Sequence, residues 1–461
     1  MTLISSISGT RGTIGGKPGE NLTPVDAVAF ATAFANFIKQ RSGKKSPSVV
    51  IGRDARPSGQ WLSGIVCGTL QASGVHVIDL GLSTTPTVEV AVPGMQADGG
   101  IILTASHNPI EWNALKLLNA KGEFISAEEG KQLLHQIEQA DVNYPDVHQT
   151  GSYREESGWI ERHIDAVLSY SLVDADAVRA ANFKIVVDPV NSTGSLAIPL
   201  LLDRLGIAEV RMINGDVTGI FAHNPEPLKQ NLTEISETVK KEGFDLGIVV
   251  DPDVDRLALI SEDGEMFGEE YTLVAIADYY MHTKPGATVS NLSSSRALKD
   301  VTTSAGQAYH ASAVGEVNVV DKMKEVNAVI GGEGNGGIIV PDLHYGRDAL
   351  AGIALFLTHL AKSGKRMSEL RAGYPHYEMA KNKVQLREGM QPDALIDAMK
   401  KRYENENVNT IDGLKIDFND EWVHLRKSNT EPIIRIYTES KSKASAEALA
   451  RRIEEELSSL T

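Results

Sequence analysis

A hydroxyl nucleophile stands at Ser106, in the stretch Thr104-Ala105-Ser106-His107-Asn108-Pro109 that follows the apolar run Gly100-Ile101-Ile102-Leu103. A short apolar run that stops at polar residues and a proline reads as a buried strand feeding a turn. Ligands of open α/β sheets collect at the carboxyl ends of such strands. Ser106 is therefore expected on a loop facing solvent, with turn or helix capping as the plainer alternative. A serine hydrolase is disfavoured, because Gly-x-Ser-x-Gly is absent around this serine. His107 is a weaker candidate base, since neighbouring side chains point apart.

A second group of reactive side chains lies in Asp251-Pro252-Asp253-Val254-Asp255-Arg256, after the apolar run Gly247-Ile248-Val249-Val250. In an extended segment, period two would put Asp251, Asp253 and Asp255 on one side. Three clustered carboxylates repel unless neutralised, and oxygen-only ligands suit a hard divalent cation, Mg²⁺ first. A calcium loop is the competing reading, with Glu262 at its twelfth position. It fails because Arg256 stands where the sharp turn needs glycine, and β-like residues 257–260 follow in place of a helix. A solvated acidic loop is the bland alternative. Arg256 cannot lose its proton and fits a phosphate contact.

Two further loops carry ligand-type chemistry. Gly331-Gly332-Glu333-Gly334-Asn335-Gly336-Gly337 is neither a P-loop nor a dinucleotide fingerprint, and its glycines would let a ligand approach the backbone. The carboxylate of Glu333 suits paired hydrogen bonds to vicinal hydroxyls, as on a sugar. Arg426-Lys427-Ser428-Asn429-Thr430-Glu431-Pro432, followed by Ile433-Ile434-Arg435, offers arginines, hydroxyls and an amide as a cradle for a dianionic phosphate. Ser8-Gly9-Thr10-Arg11-Gly12 adds one more arginine on an expected flexible loop.

The elements that must position these loops alternate along the chain. Val49 to Ile51, Ile101 to Leu103, Ile185 to Val187, Ile248 to Val250 and Ala328 to Ile330 read as buried parallel strands ending in Gly- or Asp-rich loops. Pro24 to Gln40, Ala127 to Gln139, Leu196 to Leu205 and Leu232 to Glu242 supply amphipathic crossover helices, so an α/β architecture is predicted. Asp141 to Gly158 and Gly364 to Tyr377 read as linkers. Beyond them, Asp393 to Glu404 and Ala444 to Leu457 read as helices, and Trp422 to Leu425 and Ile433 to Tyr437 as strands, in a smaller α+β domain.

The 461 residues exceed one hydrophobic core and allow roughly three or four domains. Hydrophobic content of 42% and charged content of 23% are those of an ordinary globular protein. A net charge of −16 argues against nucleic acid or a polybasic membrane surface as partner, while leaving a small anion open if positive charge is locally concentrated. One cysteine, Cys67, allows no internal disulfide and reads as buried filling. With no signal-like start and no membrane-length apolar run, the cytoplasm is the expected compartment.

Together, in this order, the serine loop, the Asp-x-Asp-x-Asp-Arg loop, the Gly-Glu-x-Asn-Gly loop and the Arg-x-Ser-Asn-Thr-x-Pro loop resemble the α-D-phosphohexomutase superfamily over essentially the whole chain. The resemblance implies four domains around a central cleft: three related α/β domains with mixed sheets and a smaller C-terminal α+β domain. They are placed at 1–150, 151–258, 259–371 and 372–461. It implies phosphorylation of Ser106, one Mg²⁺ on Asp251, Asp253, Asp255 and the phosphorylated Ser106, and Arg11 and Lys116 at the reacting groups. Glu333 and Asn335 would meet the sugar, and Arg426, Ser428, Asn429, Thr430 and Arg435 the distal phosphate. Gly52-Arg53-Asp54-x-Arg56-x-Ser58-Gly59 is similar to a structural motif of the first domain. Where many members have Ser-Gly-His, this chain has Asn335-Gly336-Gly337. The histidine's role is vacant or filled elsewhere.

The implied reaction interconverts hexose 6-phosphate and hexose 1-phosphate, with hexose 1,6-bisphosphate as intermediate and activator. The Arg426 loop is most similar to the phosphoglucosamine mutase branch, which favours glucosamine phosphate over glucose or mannose phosphate. Phosphoryl transfer needs positioning and charge neutralisation, which a metal and arginines supply. Lys116 is the expected general acid/base, its pKa lowered toward neutrality by burial among cations. A phosphatase and a sugar-phosphate sensor are the alternatives. A monomer or homodimer is expected.

Overall fold

The computed structural model describes residues 2–6, 9–139, 143–386, 391–428 and 432–460. Two compact units divide the chain: Met1–Thr272 with Asn335–Leu370, and Leu273–Gly334 with Arg371–Thr461.

The first unit holds two mixed sheets. In the larger, the strand order is Ile4–Ser6, Gly9–Thr13, Trp112–Leu118, Gly99–Leu103, Ser48–Arg53, His76–Leu82 and Tyr153–Glu155. The strand Gly99–Leu103 is wholly buried, parallel to Ser48–Arg53 and antiparallel to Trp112–Leu118. Its side chains alternate between two cores, Ile101 and Leu103 packing with Phe34, Leu62 and Leu70, and Ile102 with Val88, Val92 and Trp159. A strand covered on both faces gains about 1.5–3 kcal/mol from each large apolar side chain, which anchors the loop that follows it. The second sheet runs Leu257–Ser261, Leu246–Val250, Lys184–Asp188, Glu209–Met212.

In the second unit, Thr288–Asn291 pairs in parallel with Tyr309–Ser312 and Ile330–Glu333. A separate antiparallel sheet orders Glu378–Gln385, Ile433–Ser440, Trp422–Lys427, Leu414–Asp417 and Asn407–Asn409. The helix Lys443–Ser459 packs Leu449, Ile453 and Leu457 onto Leu414, Val423 and Ile434 of that sheet.

Helix positions follow the sequence closely: Pro24–Ser42, Ala127–Gln139, Gly194–Arg204, Thr233–Glu242, Pro392–Arg402 and Lys443–Ser459. Local chemistry sets such ends, as at Thr23, whose backbone N–H donates to Asp26 Oδ2 at 3.0 Å in a capping box. The expected linkers are partly structured. Tyr153–Glu155 adds a parallel edge strand beside His76–Leu82, and Met367–Ala372 is a helix. The boundary expected at residue 258 falls inside the strand Leu257–Ser261, whose five residues pair with Leu246–Val250. Arg11 belongs to the strand Gly9–Thr13 and not to a flexible loop, because antiparallel pairing sets it opposite Ala114 and Gly9 opposite Lys116. Cys67 is buried in the helix Gly59–Ala72, and burial pushes its thiol up to about 11. Among the described residues, no helix is long and apolar enough to cross a membrane.

Candidate active site

Ser106 lies in the turn after Gly99–Leu103, and its backbone is forced to φ +49°, left-handed for a residue with a Cβ. Contrary to the expectation of a solvent-facing serine, it is only 7% exposed. The reason is the packing around it: the Ser106 hydroxyl donates to Asp251 Oδ2 at 2.6 Å, and the Ser106 N–H donates to Thr104 Oγ1 at 3.0 Å.

The loop is held by Arg56, a buried side chain whose five N–H groups all have partners. Nη2 donates to the carbonyls of Ser106 and Asn108 at 2.6 Å, and Nη1 to those of Pro109 at 2.6 Å and Trp112 at 3.1 Å. Nε donates to Asp54 Oδ2 at 3.0 Å, and the Thr104 hydroxyl donates to the same oxygen at 2.6 Å. The Asp54–Arg56 pair is thus the clamp of the serine loop.

Asp251, Asp253 and Asp255 are fully buried, and one carboxylate oxygen from each lies within 4.8 Å of the others. They converge through a turn and not through the expected extended segment. Val254 sits at φ +64°, with its N–H donating to the Asp251 carbonyl at 3.1 Å and its own carbonyl accepting from Ala349 N at 3.2 Å. A β-branched residue in that region is strained, and such strain collects at functional sites.

Both oxygens of Asp251 are engaged, Oδ2 by Ser106 and Oδ1 by the backbone N–H groups of Asp255 and Arg256, but Asp253 and Asp255 each have only one oxygen engaged. Asp253 Oδ2 accepts from Thr85 Oγ1 at 2.6 Å and Lys116 Nζ at 2.7 Å, and Asp255 Oδ2 accepts from Arg347 Nη2 at 2.7 Å. Oδ1 of Asp253 and Oδ1 of Asp255 are buried with no hydrogen-bond partner among the described residues. Burial, then the charges of Asp255 and Asp253, push Asp251 well above the ordinary carboxylate range. Two orphaned oxygens and one carboxyl that resists ionising fit a divalent cation, which would relieve all three.

The charge state expected of Lys116 is reversed. Burial acts to lower it, but Asp253 and Asp255 outweigh that and hold the ammonium above the ordinary lysine value. Its neighbours include the two carboxylates as well as the cationic Arg347, and no stretch of sequence around residue 116 displays them. His107 Nδ1 stands 3.4 Å from Ser106 Oγ, and burial with the charge of Arg256 drives that imidazole down to about 2, so it is neutral. Arg256 donates its backbone N–H to Asp251 Oδ1 at 3.1 Å, while its buried Nε finds no hydrogen-bond partner among the described residues. Arg11 is exposed on its strand. Two contributors lie outside the residues the sequence singled out: Thr85 and Arg347 reach the acidic loop from 168 and 92 residues away.

In the second unit, Glu333 ends the strand Ile330–Glu333, so Gly331 and Gly332 are strand residues and not loop residues. A Cβ on Gly331 would lie 2.4 Å from Met323 Sδ, which makes that glycine a packing requirement and not a ligand approach. Glu333 Oε1 accepts from Asn291 Nδ2 at 2.9 Å and from Gly315 N at 3.2 Å. In the first unit, Asn335 Oδ1 accepts from Gly337 N at 3.2 Å, and a Cβ on Gly336 would meet the Leu257 carbonyl at 2.2 Å. Arg426 and Arg435 face each other across the antiparallel pair Trp422–Lys427 and Ile433–Ser440, with Arg426 Nε 2.9 Å from Asp412 Oδ2. Ser428 N donates to the Ile433 carbonyl at 3.0 Å. Asn429 and Thr430 lie outside the described residues.

Comparison with known proteins agrees with this arrangement. The models of phosphoglucomutase/phosphomannomutase alpha/beta/alpha domains I, II and III match residues 5–143, 161–264 and 268–377, and that of the C-terminal domain matches 382–456. A phosphoglucomutase/phosphomannomutase of Thermococcus kodakarensis is 37% identical over 96% of each chain. A phosphoglucosamine/phosphogalactosamine mutase of Sulfurisphaera tokodaii is 32% identical over 98% of each. The crystal structure of a phosphoglucomutase/phosphomannomutase family protein from Burkholderia thailandensis superposes with a TM-score of 0.85 at 26% identity, covering 99% of this chain and 98% of that one. An acidic triad beneath a strained serine loop, on four successive domains of these kinds, makes this chain an enzyme of the α-D-phosphohexomutase superfamily.

Proposed function

We propose that the enzyme interconverts hexose 6-phosphate and hexose 1-phosphate through a phosphorylated Ser106, with glucosamine phosphate as its preferred substrate and hexose 1,6-bisphosphate as intermediate and activator. The observation that carries the reading is the 2.6 Å hydrogen bond from the Ser106 hydroxyl to Asp251 within a buried carboxylate triad. In the forward half-reaction the bond between phosphorus and Ser106 Oγ breaks and a bond to the free sugar hydroxyl forms. The hydroxyl proton ends on Ser106 Oγ, with Lys116 the candidate relay: its ammonium, 2.7 Å from Asp253, gives a proton to the departing serine oxygen and takes up the one released by the sugar hydroxyl. The reverse half-reaction returns the other phosphate to Ser106.

Asp251, Asp253 and Asp255, with the phosphorylated Ser106, would hold one Mg²⁺, which supplies charge neutralisation to the transferring group. Arg11, Arg256 and neutral His107 are proposed as contacts of the reacting phosphoryl group. In the second unit, Glu333 is the proposed partner of sugar hydroxyls, and Arg426, Ser428, Asn429, Thr430 and Arg435 of the distal phosphate; Asn335 is a further sugar contact. A division into phosphoserine (1–150), metal (151–258), sugar (259–371) and phosphate-binding (372–461) domains is proposed with the second boundary moved past Ser261, the end of its sheet strand. A single buried cysteine fits a reducing compartment, the cytoplasm, and the enzyme is proposed to act as a monomer or homodimer.

Substrate choice is tested by assaying the pure enzyme with Mg²⁺ on glucosamine, glucose and mannose phosphates side by side. Glucosamine 6-phosphate is expected to give the highest kcat/KM. A higher value for glucose or mannose phosphate would move the enzyme to the activity named for its Thermococcus relative. Inorganic phosphate released faster than isomerised sugar phosphate would make it a phosphatase instead. Arg426→Ala is expected to raise KM by about 10- to 100-fold while changing kcat little, as removal of a charged phosphate contact worth roughly 1.5–3 kcal/mol should. A collapsed kcat at unchanged KM contradicts that role.

A further inference from the structure

A second cluster of ligating side chains lies in the first unit, apart from the acidic triad. It joins His163, on the helix Trp159–Leu168, with His344 and with Asp348, the N-cap of the helix Ala349–Ser363. His163 and Asp348 are 1% exposed and the His344 side chain 8%. His163 Nε2 is 3.0 Å from Asp348 Oδ2, and His344 Nε2 is 3.3 Å from the same oxygen. Ligands bonded to zinc at about 2.0–2.1 Å in a tetrahedron stand about 3.3 Å apart; the two nitrogen–oxygen pairs are near that spacing, and all three atoms lie within 4.8 Å of one another.

The outer partners follow the same pattern. A metal-binding imidazole uses one ring nitrogen as ligand and donates the other N–H to a carboxylate or other oxygen, which fixes its tautomer. His344 Nδ1 lies at an ion-pair distance of 3.3 Å from Glu89 Oε2, short of hydrogen-bond geometry, and His163 Nδ1 is hydrogen-bonded to Thr87 Oγ1 at 3.0 Å. With these nitrogens as the donors, Nε2 of both rings presents a lone pair toward Asp348. The Asp348 carboxylate is itself fixed, since Oδ1 accepts from Leu350 N at 2.8 Å and Ala351 N at 3.2 Å, leaving Oδ2 for the shared point. Glu89 and Thr87 come from the helix Thr85–Gly94, so three segments far apart in the chain meet here.

We propose that His163, His344 and Asp348 supply the three protein ligands of a four-coordinate zinc site whose remaining position takes a water, with Glu89 and Thr87 as outer partners that orient the two imidazoles. Nitrogen ligands select zinc over magnesium, whereas the oxygen-only triad at Asp251 does the opposite, so the two sites take different ions. Such a site ties the helices Thr85–Gly94, Trp159–Leu168 and Ala349–Ser363 together. A proton on His344 shared between Glu89 and Asp348 is the competing way to balance the two carboxylates, and it binds no metal.

The test uses the full-length protein, stripped with a chelator and then dialysed against Zn²⁺ in excess Mg²⁺. Mass spectrometry of the metal content is expected to find about one zinc per chain, and Co²⁺ loading to give the intense visible bands of a four-coordinate, nitrogen-containing site. His163→Gln and His344→Gln should each weaken zinc binding by at least about 100-fold. Glu89→Gln should weaken it by about 10-fold, and Asp253→Asn should leave it unchanged. No retained zinc, a weak octahedral cobalt spectrum, retention by the folded histidine variants, or loss in Asp253→Asn would each overturn the proposal. Should the histidine variants fail to fold, the cobalt spectrum of the unaltered protein decides.

Discussion

Ser106→Ala is expected to lower mutase turnover by at least about 10⁴-fold while the protein remains folded, because the substitution removes the atom that accepts and surrenders the phosphoryl group. The structural cost is small. The lost hydroxyl makes one strong hydrogen bond, to Asp251 Oδ2, and an unsatisfied buried partner costs about 1–3 kcal/mol. Ser106→Gly separates the nucleophile from the backbone it sits on. At φ +49° a residue with a Cβ is held about 1–2 kcal/mol above its preferred conformation, and glycine is not. Ser106→Gly is therefore expected to be as inactive as Ser106→Ala yet to melt at or above its temperature, the extra freedom of glycine in the unfolded chain offsetting part of the gain. Intact mass of the wild type under turnover should show one added phosphoryl group, absent from both variants. Isomerisation by either variant at more than about a thousandth of the wild-type rate would remove Ser106 from the mechanism.

That strained backbone marks where reading from sequence stops. The apolar run before Ser106 was enough to place a buried strand and a turn, because period and flanking residues are local signals. Helix ends were readable for the same reason, as with Pro24 after Thr23 and the acidic residue Asp26 that completes its cap. Convergence of Asp251, Asp253 and Asp255 was foreseen for the wrong cause, alternation along a strand, whereas a turn at a left-handed Val254 brings them together. The charge of Lys116 could not be read either. Its flanking residues Leu115 and Leu117 are buried apolar side chains, and the carboxylates that decide its ionisation lie more than a hundred residues away along the chain. Arg347 had one local clue. It precedes Asp348, an N-cap before the long apolar helix Ala349–Ser363, so a charged pair stood at the mouth of a buried element. Charges in such a place need partners, and sequence alone does not say which.

The partner most decisive for the serine loop is Arg56, and Arg56→Lys is expected to be far from conservative. Its guanidinium satisfies four carbonyls between Ser106 and Trp112 and the carboxylate of Asp54, a geometry in which all five donors of a planar fork are used. Lysine brings three donors on a single nitrogen and cannot span those acceptors, so at least two buried carbonyls lose their partner, at about 1–3 kcal/mol each. Unlike the Ser106 variants, Arg56→Lys leaves the nucleophile in place and changes only how firmly it is held. A displacement of about 1 Å at a reacting atom costs about 100-fold in rate. The expected result is a kcat lowered by about 100-fold at a KM changed by less than about threefold, with faster amide exchange confined to residues 104–112. A general loss of stability would instead raise exchange across both sheets of the first unit and reduce the active fraction without altering the kinetics of what remains. Unchanged exchange in that loop together with a kcat near wild type would show that the turn keeps its strained conformation without the clamp, held by the bonds of Ser106 to Asp251 and Thr104.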